Sequence, residues 1–379
     1  MRAEQFQNKQ TPFYCYDLEL LSRTIDECLF HAKKYNFEVH YALKANANDR
    51  ILRVISEKGL GADCVSGNEV LKAVASGFNS NKIVFAGVGK SDKEILDALY
   101  ANIFCFNVES FQELEIINDL AASVNKKANI AIRINPNVNA HTHHYITTGL
   151  EENKFGFNHW ELESFIKKMP EYNHLNFLGL HFHIGSQITD LKVFRSLCIK
   201  VMEYNQWFKH MGMKVKVLNL GGGLGIDYSN PDGQPIPKFK DYFELFHKFV
   251  NKFEGQEIHF EIGRAIVAQC GSLISKVLYI KEGMNTNFAI LDAGMTELLR
   301  PALYQAYHKI ENLSNTDTSK KLKYDVVGPI CESSDSFGKA VDLPITKRGD
   351  LIAIRSAGAY GEVMSSGYNL RLQNEAMFL

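Results

Sequence analysis

A regular alternation of apolar, strand-like runs with amphipathic, helix-like stretches is the feature of this sequence that most restricts its fold. Strands separated by helices pair in parallel through right-handed crossovers. Eight such units in about 240 residues predict an α/β fold with a closed (β/α)8 TIM-like barrel, for which an open doubly wound sheet is the structural competitor. The eight strand-like runs are Val39–Ala45, Gly61–Ser66, Lys82–Ala86, Ile103–Val108, Asn129–Asn135, Phe177–Ile184, Val215–Leu220 and Glu257–Ile262.

Beyond about residue 270 the pattern changes, because strand-like runs follow one another without long helices between them. The runs are Ser272–Ile280, Asn287–Asp292, Tyr324–Gly328 and Asp350–Ser356. The chain has 379 residues, whereas single hydrophobic cores stop growing near about 250–300 residues. We therefore expect two domains: the barrel at residues 20–268, and an antiparallel β domain, a β-sandwich or Greek-key barrel, built from residues 1–19 and 269–379.

The composition argues against several classes of protein. Lys and Arg number 42 against 43 Asp and Glu, without the cationic surplus of a nucleic-acid or anionic-membrane binder. No apolar run approaches the roughly 18–20 residues that span a bilayer, and the polar start indicates no secretory signal. The seven cysteines are scattered singly, which suits reduced thiols. We expect a cytoplasmic protein with no nucleic-acid or membrane partner.

Polar residues and glycines lie at or near the carboxyl ends of five predicted barrel strands, where a parallel barrel gathers its side chains on one rim. Lys44 is expected to end the first strand, and such a convergence is hard to obtain by chance. The full set is Lys44, Asp63, His181, His183, Ser186, Gly221, Gly222, Gly223, Gly225, Glu261, Gly263 and Arg264.

Each of these signals has a structural interpretation beside the functional one. The glycine run at 221–225 favours a phosphate site over a tight turn, because glycines let backbone N–H groups approach an oxyanion. Lys44 is either a solvated rim charge or a desolvated amine that forms a Schiff base. His183 is either a core histidine or a ring stacked on a planar cofactor. Glu261 and Arg264 either pair with each other, or hold a ring nitrogen and an anion.

Read in order, the motifs resemble those of the fold-type III pyridoxal-phosphate-dependent decarboxylases, and most closely the diaminopimelate decarboxylase branch of that family. The resemblance runs from Thr11 to about Asn369, nearly the whole chain. Its motifs are residues 41–46, 181–187, 221–225, 261–264, 292–295, 300–304, 331–335 and 357–361.

The resemblance implies a fold, a cofactor and a reaction. The fold is a barrel followed by a β domain, and the cofactor is pyridoxal 5′-phosphate. The reaction is decarboxylation of meso-2,6-diaminopimelate to L-lysine, the last step of lysine biosynthesis. It also implies a homodimer whose active sites are shared across the interface.

The resemblance assigns roles to single residues. Lys44 would bond the cofactor covalently and Cys331 would donate a proton. The cofactor-binding set comprises Lys44, Asp63, His183, Ser186, Gly221, Gly222, Gly223, Glu261, Gly263, Arg264 and Tyr360. The substrate-binding set comprises Arg264, Arg300, Tyr304, Glu332 and Tyr360.

Several alternatives stay open at this point. The nearest is a related decarboxylase acting on carboxynorspermidine, ornithine, lysine or arginine. Others are a catalytically silent decarboxylase-like regulator, against which Lys44 and Cys331 argue, and an alanine-racemase-like barrel. Two candidate arginines suit a substrate whose distal group carries a carboxylate. We expect no metal site, because His141, His143 and His144 lack Cys or acidic partners at fitting spacing.

Overall fold

The chain, described here from a computed structural model that covers residues 1–138 and 154–379, divides into two compact units. The barrel unit consists of residues 24–225 and 238–266, and the β unit of residues 1–23, 226–237 and 267–379. His141, His143 and His144 lie outside the described residues. Residues 226–237 thus leave the barrel unit part-way along its sequence and belong with the β unit.

Eight parallel strands close the barrel unit into a barrel, in which the last strand pairs with the first. This confirms the predicted (β/α)8 barrel and excludes the open doubly wound sheet. The first strand of the chain, β1 (Phe13–Tyr16), belongs to the β unit. The barrel strands are β2 (Phe37–Ala42), β3 (Gly61–Cys64), β4 (Ile83–Phe85), β5 (Cys105–Val108), β6 (Ala128–Arg133), β7 (Leu175–His181), β8 (Val217–Asn219) and β9 (Glu257–Ile262).

Helices connect the barrel strands, and several begin with a serine cap. The hydroxyls of Ser66, Ser91 and Ser110 each accept a backbone N–H three residues later, at 3.2–3.4 Å, which satisfies donors that a helix start leaves unpaired. None of the helices in residues 1–138 and 154–379 combines the length and the apolar character needed to span a membrane. The helices are α1 (Leu18–Lys33), α2 (Asp49–Glu57), α3 (Gly67–Ala75), α4 (Asp92–Ala101), α5 (Phe111–Ser123), α6 (Leu162–Lys168), α7 (Leu191–His210), α8 (Phe239–Phe249) and α9 (Arg264–Val267).

The packing of helix α8 on strand β9 shows how the barrel aims a functional side chain. The Phe260 ring packs against Phe243 and Phe246 of α8, with ring centroids 5.1 and 4.9 Å apart. Because successive side chains of a strand point to opposite faces, its neighbour Glu261 points to the barrel interior. Burial of an aromatic cluster outside the barrel therefore fixes the direction of a carboxylate inside it.

The elements that follow the barrel belong to the β unit and are β10 (Gly271–Glu282), β11 (Asn287–Leu291), α10 (Arg300–Tyr304), β12 (Ile310–Asn312), β13 (Lys321–Val327), β14 (Ser336–Pro344), β15 (Leu351–Ile354) and β16 (Met377–Phe378). The strands form a mostly antiparallel sheet with the order β12-β15-β10-β11-β13-β14, in which β11 and β13 are parallel. Strand β1 adds to β10 and pairs with the last strand of the chain, β16. The predicted second, mostly antiparallel β region is confirmed.

One predicted position is wrong in its local structure. Lys44 does not end the first barrel strand, because β2 stops at Ala42 and Lys44 sits in a 3-10 turn formed by Leu43–Ala45. The Tyr41 hydroxyl donates to the carbonyl oxygen of Asn46 at 2.9 Å and fastens the end of this turn. Lys44 therefore stands just beyond the strand, on a short and braced turn.

Candidate active site

The amine of Lys44 lies against a carboxylate from the neighbouring strand. Its Nζ is 3.2 Å from Oδ2 of Asp63. The Asp63 side chain is fully buried, whereas 36% of the Lys44 side chain is exposed. The amine of Lys44 is therefore in contact with a buried acid, while part of the Lys44 side chain remains accessible to another molecule.

Asp63 is itself unusual for a carboxylic acid. Burial and the negative charge of Glu261 raise the pKa of Asp63 to about 7, against the opposing effect of Lys44. Its second oxygen, Oδ1, is buried and has no hydrogen-bond partner among the described residues. Asp63 can therefore exchange a proton near neutral pH and has an acceptor left for a bound group.

Glu261 is the best-partnered carboxylate on this rim. Its Oε1 accepts hydrogen bonds from the amides of Asn107 at 3.1 Å and Asn219 at 2.7 Å, and its Oε2 lies 3.0 Å from Nε2 of His181. Burial alone would raise the pKa of Glu261, but the interactions with His181 and Lys44 lower it well below its usual value. Glu261 is therefore a buried anion at neutral pH, suited to a protonated ring nitrogen.

A half-buried imidazole and a glycine loop lie beside each other in the barrel unit. Burial and the positive charges of Arg133 and Lys44 lower the pKa of His183 well below its usual value, so its ring is neutral. Gly221 and Gly223 have φ values of 65° and 102°, a backbone region that favours glycine. A Cβ on Gly221 would overlap the carbonyl oxygen of Phe182 and come within 3.0 Å of Nδ1 of His183. The loop therefore presents bare backbone next to a neutral ring.

Arg264 does not pair with Glu261, which was one interpretation left open by the sequence. Arg264 opens helix α9, is buried, and donates from Nη2 to the hydroxyl of Ser186 at 3.0 Å. Gly263 precedes it, and a Cβ there would come within 2.9 Å of the Ala45 Cβ. The predicted residues Ser186, Gly263 and Arg264 thus adjoin one another or the Lys44 turn.

The predicted substrate residue Arg300 is anchored within the β unit. It begins α10, is buried, and its Nη1 lies 2.8 Å from Nε2 of His308. The guanidinium also stacks over the Tyr228 ring, 5.1 Å from its centroid. Tyr304 ends the same helix and is half-buried. A buried cation with this support keeps one orientation.

Cys331 and Glu332 lie in an exposed loop of the β unit that a buried carboxylate braces. Asp335 accepts the backbone N–H groups of Met295 at 2.6 Å and Ile330 at 2.7 Å. Cys331 is the exposed member of the seven free cysteines, and the other six are buried. The loop therefore presents a thiol to solvent from a fixed base.

Local contacts or backbone conformation mark two predicted residues of the β unit, Glu332 and Tyr360, whereas Tyr368, which contacts Glu332, was not predicted. The Tyr368 hydroxyl donates to Oε1 of Glu332 at 2.9 Å, which orients that carboxylate. Tyr360 is half-buried and has a φ of 57°. A bulky residue in the left-handed region costs energy, and such residues cluster at functional sites.

Several supporting residues were missed by sequence reasoning. Asn107 and Asn219 were not singled out, and His181 was noted on the rim without a role, although all three bond Glu261. Tyr228 and His308 were missed beside Arg300. The signal available for the first three was a polar residue inside an otherwise apolar strand, whereas residues 226–237 gave no sign of belonging with the β unit.

The barrel-unit residues fit a phosphorylated aromatic aldehyde. Such a group needs a primary amine, an anion for its ring nitrogen, a neutral face for its ring and bare backbone for its phosphate. Lys44, Glu261, His183 and the glycines at 221–223 supply these four features. The buried Oδ1 of Asp63, which has no partner among residues 1–138 and 154–379, is an acceptor available to the same group.

Comparison with known proteins agrees with this donor set. A family model described as the pyridoxal binding domain of pyridoxal-dependent decarboxylases matches residues 22–268. The diaminopimelate decarboxylase of Bacteroides thetaiotaomicron is 57% identical over 97% of this chain and 95% of its own length. The diaminopimelate decarboxylase of Helicobacter pylori strain J99 is 42% identical over 97% of this chain and 90% of its own.

Solved structures give the same result. Diaminopimelate decarboxylase from Helicobacter pylori, complexed with L-lysine, superposes with a TM-score of 0.91 at 41% identity, covering 100% of this chain and 93% of that one. Lysine/ornithine decarboxylase from Vibrio vulnificus, complexed with putrescine, has a TM-score of 0.86 at 19% identity, covering 100% of this chain and 96% of that one. The second likeness shows a shared fold and nothing more.

The depressed pKa of Glu261 predicts a specific acid sensitivity. Its unfolded-state pKa is about 4.5 and its folded-state pKa lies well below that. Between the two values the unfolded chain binds more protons, so the stability that Glu261 contributes is present above pH 4.5 and is lost as the pH falls. Urea midpoints of the cofactor-free protein should therefore separate wild type from Glu261→Gln most at neutral pH and converge towards pH 3. A constant gap between the two proteins would contradict the assignment.

Proposed function

The chain belongs to the pyridoxal-dependent decarboxylases, and on that premise we infer that it converts meso-2,6-diaminopimelate to L-lysine and CO2. It is a carbon–carbon lyase, its cofactor is pyridoxal 5′-phosphate, and its product places it at the lysine-forming end of amino-acid biosynthesis. The observation that carries this conclusion is the 57% identity with a diaminopimelate decarboxylase over nearly the full length of both chains. The barrel-unit donor set, which fits the cofactor on its own geometry, supports it.

When bound, the cofactor supplies a protonated ring that delocalises the electron pair left by departing CO2. In our proposal Lys44 bonds the cofactor, with Asp63 holding the lysine amine, and Glu261 keeps the ring nitrogen protonated. The imidazole of His183 supports the plane of the cofactor ring. Its lowered pKa keeps the imidazole neutral, so it adds no second positive charge beside the protonated cofactor ring. The phosphate and the part of the cofactor next to it are bound by Gly221, Gly222, Gly223, Ser186, Gly263, Arg264 and Tyr360.

Two chemical tasks remain for side chains of the protein. The bond from Cα to the carboxylate carbon breaks, CO2 leaves without the electron pair, and a proton must then reach Cα. We assign that proton to the thiol of Cys331, which is exposed and stands on a loop braced by Asp335. A general acid of this kind typically contributes about 10²–10⁴-fold to a rate.

Substrate choice follows from the charge of the distal group. Diaminopimelate carries both an ammonium and a carboxylate there, whereas ornithine and lysine carry an ammonium alone. Arg264 and Arg300 suit the carboxylate, since a guanidinium binds it through two parallel hydrogen bonds. Glu332 suits the ammonium, and the hydroxyls of Tyr304 and Tyr360 complete the proposed substrate set.

We also propose that the protein is a homodimer whose active sites are shared between subunits. Leu370 and Leu372 of the β unit support this proposal, because 93% and 89% of their surfaces are exposed in the single chain and large apolar side chains are commonly covered in interfaces. Light scattering that gave the mass of one 42.9 kDa chain at working concentration would contradict it.

The reaction is tested by CO2 release. Purified protein with added cofactor should release CO2 from meso-diaminopimelate and form lysine, with kcat/KM at least about a hundredfold above that for ornithine, lysine, arginine or carboxynorspermidine, equivalent to about 2.7 kcal/mol. Lys44→Ala is the control and should abolish turnover. A higher kcat/KM for ornithine, lysine, arginine or carboxynorspermidine would show that diaminopimelate is not the substrate.

Arg300→Ala should raise the KM for diaminopimelate by at least about tenfold, equivalent to about 1.4 kcal/mol. The loss is expected because a charge-assisted bond to the distal carboxylate disappears. Leu303→Ala, in the same short helix and exposed, is the matched control. Steady-state kinetics with an unchanged KM for Arg300→Ala would remove this residue from the substrate site.

A further inference from the structure

The hydrogen bonds of Glu261 leave it a limited capacity to accept more. An ionised carboxylate offers about four lone-pair positions, two on each oxygen. Within the described part of the chain Asn107 and Asn219 occupy both positions of Oε1, and His181 occupies one position of Oε2. One acceptor position therefore remains, and it lies on the oxygen that His181 already contacts.

The orientations of these donors are fixed by their other contacts. Oδ1 of Asn219 accepts the backbone N–H of Gly221 at 3.0 Å, so its amide nitrogen must face Glu261. Nε2 of His181 faces a carboxylate oxygen and must therefore carry a hydrogen. Its Nδ1 is buried and has no partner in the described part of the chain. Asn219 and His181 therefore each present an N–H to Glu261.

We propose that His181 is a positioning residue whose Nε2–H and the ring N–H of the cofactor converge on the same oxygen, Oε2 of Glu261. The proposal rests on the cofactor assigned above. His181 thereby sets both the direction and the basicity of Oε2 of Glu261, the oxygen that has the single acceptor position left for the ring nitrogen. The substrate and the phosphate do not contact His181 in this scheme.

Such a residue affects whether a proton stays on the ring nitrogen of the cofactor or moves to Oε2 of Glu261. A hydrogen bond to a carboxylate stabilises its charged form. Without the bond from His181, Oε2 becomes more basic and draws the proton away from the ring nitrogen. A ring that has lost this proton accepts an electron pair less well, so the chemical step slows while binding of the substrate's distal group is unaffected.

Several other titratable groups act on Glu261. Lys44 and His183 lower its pKa, as does His181. Glu261 in turn raises the pKa of Asp63 on β3, and it acts on His40 of β2, whose pKa burial lowers to about 3. Since His181 is the largest of the influences that oppose burial, its replacement should move the titration of Glu261 upward.

Two variants and a packing control test the proposal on the full-length chain. His181→Leu removes the donor, and His181→Gln keeps an N–H in roughly the same place. Leu180→Ala, at the neighbouring buried position of β7, measures the cost of lost packing alone. The readouts are kcat and KM of the loaded enzyme, and the acid transition, which is the pH at which the urea midpoint of the cofactor-free chain falls most steeply.

For His181→Leu we expect kcat to fall at least about tenfold with KM within threefold, and the acid transition to move up by about one pH unit. His181→Gln should keep kcat within about threefold and the wild-type acid transition. Leu180→Ala should lower the urea midpoint by about the same amount at every pH, which leaves the acid transition where it is in the wild type.

The proposal is overturned if His181→Leu keeps wild-type kcat, or if the Leu and Gln variants lose equal activity with an unmoved acid transition, since that pattern marks a packing role. Should His181→Leu not fold, His181→Gln decides alone, because a glutamine variant with a tenfold loss in kcat contradicts the proposal. The acid transition is measured without cofactor or substrate, so it remains decisive even if the proposed reaction fails its own test.

Discussion

Closure of eight parallel strands into a barrel is the constraint on which the candidate site depends. Closure places strand ends that are far apart in sequence at one level of the interior, so that β5, β7 and β8 each place a side chain against Glu261 of β9. A buried anion needs several donors, because each unmatched lone pair in a dry interior costs free energy. No single strand–helix unit could supply them. The ring-nitrogen site is therefore a property of the closed barrel.

Each unit carries its own set of proposed functional residues. The barrel unit carries an amine, a carboxylate anion, a neutral imidazole and bare backbone, to which we assign cofactor binding. The β unit carries a buried arginine held by His308 and an exposed thiol, to which we assign substrate recognition and proton transfer. Both units use buried polar partners, His181 in one and His308 in the other, to hold a charged side chain still.

Much of this organisation was predictable from the sequence, for physical reasons. The eight barrel strands could be found because each is a short apolar run between amphipathic helices. Lys44 was placed on a strand although it lies in a 3-10 turn. Strands β1 and β16 could not be predicted, because they are short and pair with each other across almost the whole chain.

The residues that we propose to contact the cofactor were easier to find from the sequence than the residues that orient functional side chains. Lys44 and Asp63 were named from strand ends, and the structure places them 3.2 Å apart. Asn107, Asn219 and His308 act through contacts between elements that no local pattern encodes. Tertiary pairing decides such contacts, so a structure was needed to see them.

The central claim is that the amine of Lys44 carries the cofactor, and reductive trapping tests it most directly. The protein is loaded with pyridoxal 5′-phosphate, its visible absorption is recorded, and borohydride is added before digestion and mass spectrometry. The account predicts that the absorption band disappears and that the peptide containing Lys44 gains the mass of the reduced cofactor. A label on another lysine, or a protein that takes up no cofactor, would contradict it.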